Sequence, residues 1–355
     1  MLIFEHRGLP WNILFGVGAI QRLPGELNKL GLSNALVLSS PEQAGQGHEI
    51  VKILDGRAVG LFGESAMHVP LATVEQAAEK AQRLNADCTV SIGGGSTTGL
   101  GKALALRLSL PNIVIPTSYA GSEMTNIWGI TKDGQKTTGR DDAVLPTLTI
   151  YDPELTLTLP PEFAGPSGLN AMAQAVVNVA SQKENPFVSA MALEAIRKLS
   201  HGLPIIMTEP DNLTARSEVL LGACFAGGAI GAGTSSLHHR LCHTFGGALN
   251  TPHAETHAIL LPHSVAYNAA ATVDGTEKIA QAMGVEDAAI GIHELAKVVG
   301  APIALRDIGV DRDDLERIVA LVMESPPENP EPITATRLRV LLENAFHGHA
   351  PQPIA

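Results

Sequence analysis

The residues best suited to chemistry gather most densely in His238-His239-Arg240-Leu241-Cys242-His243. His239 and His243 stand four apart, so on a helix both imidazoles share one face, and His253 follows in the next turn region. Grouped imidazoles can ligate a metal, or they can meet developing negative charge with prearranged N–H donors. Upstream, Asn170 and Gln174 repeat the four-residue spacing. They present amides where a divalent-metal site would offer carboxylates or imidazoles, and amides are poor ligands for such ions. Arg240 occupies the place where an HExxH protease needs its general base, which argues against peptide hydrolysis.

A second centre has a different chemistry. The apolar run Cys88-Thr89-Val90-Ser91-Ile92 leads into Gly93-Gly94-Gly95-Ser96-Thr97-Thr98-Gly99, and a helical pattern follows from Leu100 to Leu108. Glycines let backbone amides approach an anion with no Cβ in the way, and a helix N-terminus adds partial positive charge for a pyrophosphate. The spacing is not GxGxxG. It is not a Walker A motif either, because Ala103 follows Lys102 where a magnesium-binding hydroxyl would stand. A further hydroxyl-rich turn, from Pro116 through Thr117, Ser118, Tyr119, Ser122 and Thr125, follows the next apolar run, so two loops converge at one end of a sheet. The run Ala35 to Leu38 ends at Ser39-Ser40 and not at an acid. Nothing at that strand end repels a 2′-phosphate, and both NADH and NADPH are expected cofactors.

These centres need elements to hold them. Short β-rich runs at Ile13 to Phe15, Ala35 to Leu38, Ala58 to Phe62, Cys88 to Ile92, Ile113 to Ile115 and Leu148 to Tyr151 read as strands. Helical patterns lie between them at Val74 to Leu84 and Gly99 to Leu108, and strands alternating with helices imply a doubly wound parallel sheet. After Leu159-Pro160-Pro161 the pattern turns to long Ala- and Leu-rich segments: Gly168 to Ala180, Ser189 to Leu203, Thr214 to Ala229 and Leu237 to Leu249. The expected organisation is an α/β dinucleotide-binding domain over residues 1–158 and an all-helical substrate and catalytic domain over 159–355, with no repeat or low-complexity tract.

Composition narrows the partners. A formal charge of −12 and no clustered Lys or Arg argue against nucleic acid, leaving small molecules. Cys88, Cys224 and Cys242 form no CxxC pair, so neither a disulfide framework nor a structural zinc module is indicated. The start Met1-Leu2-Ile3-Phe4-Glu5-His6-Arg7 lacks a leader pattern and no long membrane span is read, so a cytoplasmic location is expected. The isolated His6, His201 and His347 are assigned to ordinary structural roles.

Taken together, the glycine turn, Pro116 to Glu123 and the segment His239 through His253 resemble the signature of iron-dependent alcohol dehydrogenases. Within that superfamily, Val90 to Ala103, Thr138-Gly139-Arg140-Asp141, His238 to His243 and Pro252-His253-Ala254-Glu255-Thr256-His257 are similar to the maleylacetate reductases, over almost the whole chain. The resemblance implies a dehydroquinate-synthase-like fold, a homodimer, and NADH- or NADPH-dependent reduction of the carbon-carbon double bond of a dicarboxylate, maleylacetate, to 3-oxoadipate in aromatic-compound degradation. It also implies that Asn170, Gln174, His239 and His253 stand where metal-dependent relatives carry Asp, His, His and His. Asn170 follows the maleylacetate reductase pattern; Gln174 departs from it, since a histidine is usual there.

With that ligand set replaced, no metal is expected, and the catalytic candidates are His243, His239 and His253, with Asn170, Gln174, Arg240 and Arg140 toward substrate. The cofactor candidates are Ser39, Gly93, Gly94, Gly95, Ser96, Thr97, Thr117, Ser118, Ser122, Thr125 and Lys136. Lys136 and Arg140 could bind cofactor ribose or a substrate carboxylate, or form a solvated surface pair. Two rival readings stand beside this one: a metal-dependent dehydrogenase of small alcohols resting on His239 and His253, and a nucleotide-binding relative whose catalysis is lost or redirected.

Overall fold

The six apolar runs named above become strands because β-branched and aliphatic residues pack well on a pleated surface, buried throughout in the four inner strands and half-buried at the two edges. In a computed structural model, which describes residues 4–133, 135–180, 185–232 and 236–353, they are β1 (Ile13–Phe15), β2 (Ala35–Leu38), β3 (Ala58–Phe62), β4 (Cys88–Gly93), β5 (Asn112–Pro116) and, after an unexpected ribbon, β8 (Leu148–Tyr151). They pair in parallel in the order β1-β8-β5-β4-β2-β3. The ribbon, β6 (Ile127–Lys132) antiparallel to β7 (Gln135–Arg140), was not read from the sequence: its second strand, Gln-Lys-Thr-Thr-Gly-Arg, is polar and almost wholly exposed and gives no burial signal.

Helices α1 (Leu23–Leu30), α2 (Ala44–Ile53), α3 (Leu71–Arg83) and α4 (Gly95–Leu108) cover the sheet. Along β2 the side chains alternate. Ala35 and Val37 join Leu23, Leu27, Ile50 and Leu54 from α1 and α2 with its flank; Leu36 and Leu38 join Val74, Ala77, Leu100 and Leu104 from α3 and α4. So α2, which follows β2, and α4, which follows β4, lie on opposite faces although β2 and β4 are neighbours. Where the helix after one strand and the helix after its neighbour diverge in this way, a crevice opens at the strands' carboxyl ends, and such sheets bind ligands there.

The helical unit runs through α5 (Pro161–Val179), α6 (Pro186–Thr208), α7 (Leu213–Ala232), α8 (Leu237–Leu249), α9 (His253–Asn268), α10 (Val273–Met283), α11 (Ala288–Val298), α12 (Asp314–Glu324) and α13 (Ala335–His347). Helix α7 is long and apolar enough to cross a membrane by length and composition, yet 67% of that stretch is buried, and it packs on α5 and α6 as a core helix does. Helix α8 ends at Asn250, in the left-handed conformation with φ of 54°, and after Thr251-Pro252 the chain turns back into α9. His253 therefore opens a helix packed on α8 instead of sitting in a loop.

The chain divides into Leu9–Leu159 and a helical unit of Pro160–Ala355 together with the segment ending at Gly8. The sequence had put that segment with the sheet. It joins the helices because His6 stacks on Phe187 at 5.0 Å and Phe4 meets the same ring at 6.0 Å, while Asn185 and His6 hydrogen-bond at 3.3 Å.

Candidate active site

At the β2/β4 crevice, loops from the carboxyl ends of four strands surround a cavity of about 510 Å³. Gly93 closes β4 at φ of +149°, and a Cβ there would run into Gln43 and lie 2.7 Å from the Thr97 hydroxyl. At Gly94 a Cβ would sit 3.1 Å from the Ser118 hydroxyl. Glycine is thus required to let the two loops close on each other, with Gln43 hydrogen-bonded to Thr117 and the Thr117 amide donating to the Gly93 carbonyl at 3.1 Å. Helix α4 begins with Gly94 as N-cap and no side chain capping it. Its first amides, with no intrahelical acceptor of their own, face a wall that includes Gly94, Gly95, Ser96, Thr97, Thr117 and Ser118. A pyrophosphate fits this cradle by charge and by space.

Behind the turn, Lys102 is buried inside α4 and reaches four oxygens: the carbonyls of Ser122 at 2.6 Å, Thr125 at 2.7 Å and Ile127 at 2.9 Å, and the Thr125 hydroxyl at 3.0 Å. Burial pulls its pKa down to about 7, against the attraction of the nearby Glu123. A three-donor ammonium suits four acceptors better than an amine does, which favours the charged form. Glu123, itself pushed up by burial, accepts from the Tyr151 hydroxyl at 2.9 Å. Lys102 is therefore a strut that pins the hydroxyl loop to the phosphate-binding helix. Ser122 and Thr125 face it and not the cavity, whose wall includes neither.

Other cofactor candidates are placed as follows. Ser39 continues the alternation of β2 inward, and its fully buried side chain lies beside Gly47 of α2; Ser40, one residue on, lines the cavity instead. Lys136 stands exposed on β7, and Arg140, at the end of the same strand, donates to Asn126 at 3.3 Å. Neither lines the cavity.

In the helical unit, α8 and α9 bring five imidazoles together. Ring centres of His239 and His243 lie 6.2 Å apart, His243 and His253 stack at 6.5 Å with planes 16° from parallel, and His253 meets His257 at 4.5 Å. His257 also lies 5.4 Å from His239 and hydrogen-bonds His238 ring to ring at 2.8 Å. The cluster has two layers: His243 and His253 are exposed, whereas His238, His239 and His257 are buried. Burial draws His238 down to about 3, with His243 and His253 adding to the effect, and it holds His239 and His257 well below the ordinary range. His239 is consequently neutral and can act only as an N–H donor or acceptor; its Nδ1 makes no hydrogen bond among the described residues.

His238 and His257 were not singled out from the sequence, although His257 stands four residues after His253, the same signal that linked His239 to His243. Arg240 turns to α12, where its guanidinium donates to the Leu321 carbonyl at 2.8 Å and ties the two helices together. Asn170 and Gln174 are buried on α5, which packs against α9.

The metal-ligand positions of the superfamily fit a divalent ion poorly. Asn170, Gln174, His239 and His253 offer two amides and two imidazoles, with no carboxylate or thiolate to balance the charge. The metal-ligating side chains brought within 4.8 Å of one another among the described residues are His238, Cys242 and His257. There the two rings already share a hydrogen bond, and burial keeps the Cys242 thiol protonated.

A parallel nucleotide-binding sheet unit and an imidazole-bearing helical unit are together the architecture of a known oxidoreductase class. Residues 10–153 match the iron-containing alcohol dehydrogenase family and residues 165–346 match the Fe-containing alcohol dehydrogenase family C-terminal domain, so the chain belongs to that family. Within it, the chain is 49% identical to a maleylacetate reductase of Sphingobium indicum over 98% of this chain and 99% of the relative, and 47% identical to one from Burkholderia cepacia over the same shares. Among solved structures it is similar to maleylacetate reductase from Agrobacterium tumefaciens, with a TM-score of 0.95 at 45% identity covering 99% of this chain and 100% of that one. An iron-containing alcohol dehydrogenase from Corynebacterium glutamicum gives a TM-score of 0.94 at 37% identity, each chain covered to 99%.

Proposed function

We propose that this chain reduces the carbon-carbon double bond of maleylacetate to 3-oxoadipate at the expense of NADH or NADPH, without a metal ion. The observation that carries this reading is the full-length likeness to maleylacetate reductases combined with paired amides, Asn170 and Gln174, where a metal-dependent relative would need ionisable ligands. The wall formed by Gly94, Gly95, Ser96, Thr97, Thr117 and Ser118 would hold the cofactor's pyrophosphate. A dihydronicotinamide held there would supply hydride to the alkene carbon remote from the ketone.

The electron pair of the double bond then moves onto the ketone oxygen as an enolate, and a proton arriving at the carbon next to the ketone completes the product. Preorganised donors can stabilise that oxygen in place of a Lewis acid. His243 and His253, stacked and exposed, can exchange protons with water and deliver one; the buried His239 stays neutral near neutrality and contributes an N–H. Asn170 and Gln174 are proposed to orient a substrate carboxylate through their amide N–H groups. The likeness to maleylacetate reductases supports a homodimer acting on a small dicarboxylate in the cytoplasm. To test the reading, purified protein is given NADH with maleylacetate or with a series of small alcohols and NAD. Stoichiometric formation of 3-oxoadipate, identified by mass, is expected; oxidation of an alcohol with no consumption of maleylacetate would overturn it.

A further inference from the structure

The cavity at the β2/β4 crevice has a charge pattern that was not visible at the end of β2. Its wall includes Glu42, in the turn after β2, and Glu64, just beyond β3; no Lys, Arg or His is among its lining residues. The phosphate-binding amides stand on the β4 side, so a dinucleotide seated on them extends its adenosine half over β2 and β3, where these carboxylates stand. The Ser40 hydroxyl, hydrogen-bonded to Glu42, holds that carboxyl below the usual carboxylate range. Glu42 therefore carries its charge at any pH at which the protein would work.

We infer that Glu42 and Glu64 make this enzyme select NADH over NADPH: a carboxylate can accept the ribose 2′-hydroxyl of NADH, whereas the 2′-phosphate of NADPH meets two negative charges and no cation. The inference rests on the reductase reading above and narrows its cofactor. Acidic side chains at this end of a doubly wound sheet hydrogen-bond the ribose diol, and a 2′-phosphate is accommodated where an Arg stands nearby. Removing a hydrogen-bonded carboxylate, or placing like charges within a Debye length, each corresponds to about tenfold in affinity.

The test measures kcat/KM for both cofactors with maleylacetate, alongside direct binding of each nucleotide by the change in its fluorescence. A preference of about tenfold or more for NADH is expected, narrowing as salt is raised. The double variant Glu42→Gln with Glu64→Gln, both on exposed sites, should lose about threefold to tenfold with NADH and gain about tenfold with NADPH. Equal efficiency with the two cofactors, or an NADPH efficiency that does not rise in the double variant, would overturn the inference and leave the reductase reading intact. If neither nucleotide binds, the reductase reading itself fails and the inference with it.

Discussion

The two centres of this molecule are built on opposite principles. The phosphate-binding turn is made of backbone: its specificity lies in amides freed by glycine, with Lys102 bracing it from behind. The imidazole cluster is made of side chains, and its properties come from depth, since the same residue type is exposed at His243 and His253 and buried at His238, His239 and His257. A backbone site tolerates little change of shape, because a Cβ at Gly93 or Gly94 collides with the neighbouring loop that completes it. A side-chain cluster tolerates changes of shape but not of burial, because depth decides which ring can hold a proton.

That contrast can be broken most sharply at His243. Replacing it with Ala is expected to lower turnover by about a hundredfold to a thousandfold while NADH binding stays within twofold, because the nucleotide cradle belongs to the sheet unit. An unchanged kcat would remove His243 from the reaction. Next in size is Lys102→Met, which strands the carbonyls of Ser122, Thr125 and Ile127 in the interior. A loss of about 3 kcal/mol in denaturant unfolding is expected, and a loss below about 1 kcal/mol would show that the strut carries little of the fold.

Gly93→Ala sharpens the comparison from the other side. The backbone angle and the overlap with Gln43 should weaken nucleotide binding by about tenfold and cost about 1–3 kcal/mol of stability, with the imidazole chemistry of any bound fraction unaffected. A further effect, on stability alone, concerns pH. A buried imidazole whose folded pKa is depressed, such as His238 at about 3, binds fewer protons folded than unfolded between that value and about 6.5. Stability is therefore fully present above about 6.5 and declines as pH falls toward 3, by about 1.4 kcal/mol per unit for each such ring. His238→Asn should flatten this slope between pH 6.5 and 4.5 in denaturant titrations; an unaltered slope would mean that the ring is not held neutral.

The sequence disclosed the backbone site more fully than the side-chain site. The six sheet strands and helix α8 were readable because apolar runs and i, i+4 spacing are local signals, and the run of glycines placed itself at the end of β4. What failed to show was whatever depends on a neighbour distant in the chain. Ser39 was favoured over Ser40 because the alternation that turns Ser39 inward is completed only by Gly47 of α2. Glu42 and Glu64 escaped notice because they reach the cavity from turns beyond the strand ends. Arg240 looked available to a substrate until α12 supplied the Leu321 carbonyl, and the neutrality of His239 follows from burial that no spacing encodes.

The most direct test of the whole account is metal dependence. Protein freed of metal with a strong chelator, and checked by elemental analysis, is assayed for NADH oxidation by maleylacetate before and after ferrous or zinc ion is restored. The account predicts the same rate, within about twofold, in all three states. A rate that collapses on chelation and returns with stoichiometric iron or zinc would contradict it, because the imidazoles and amides would then be serving as ligands.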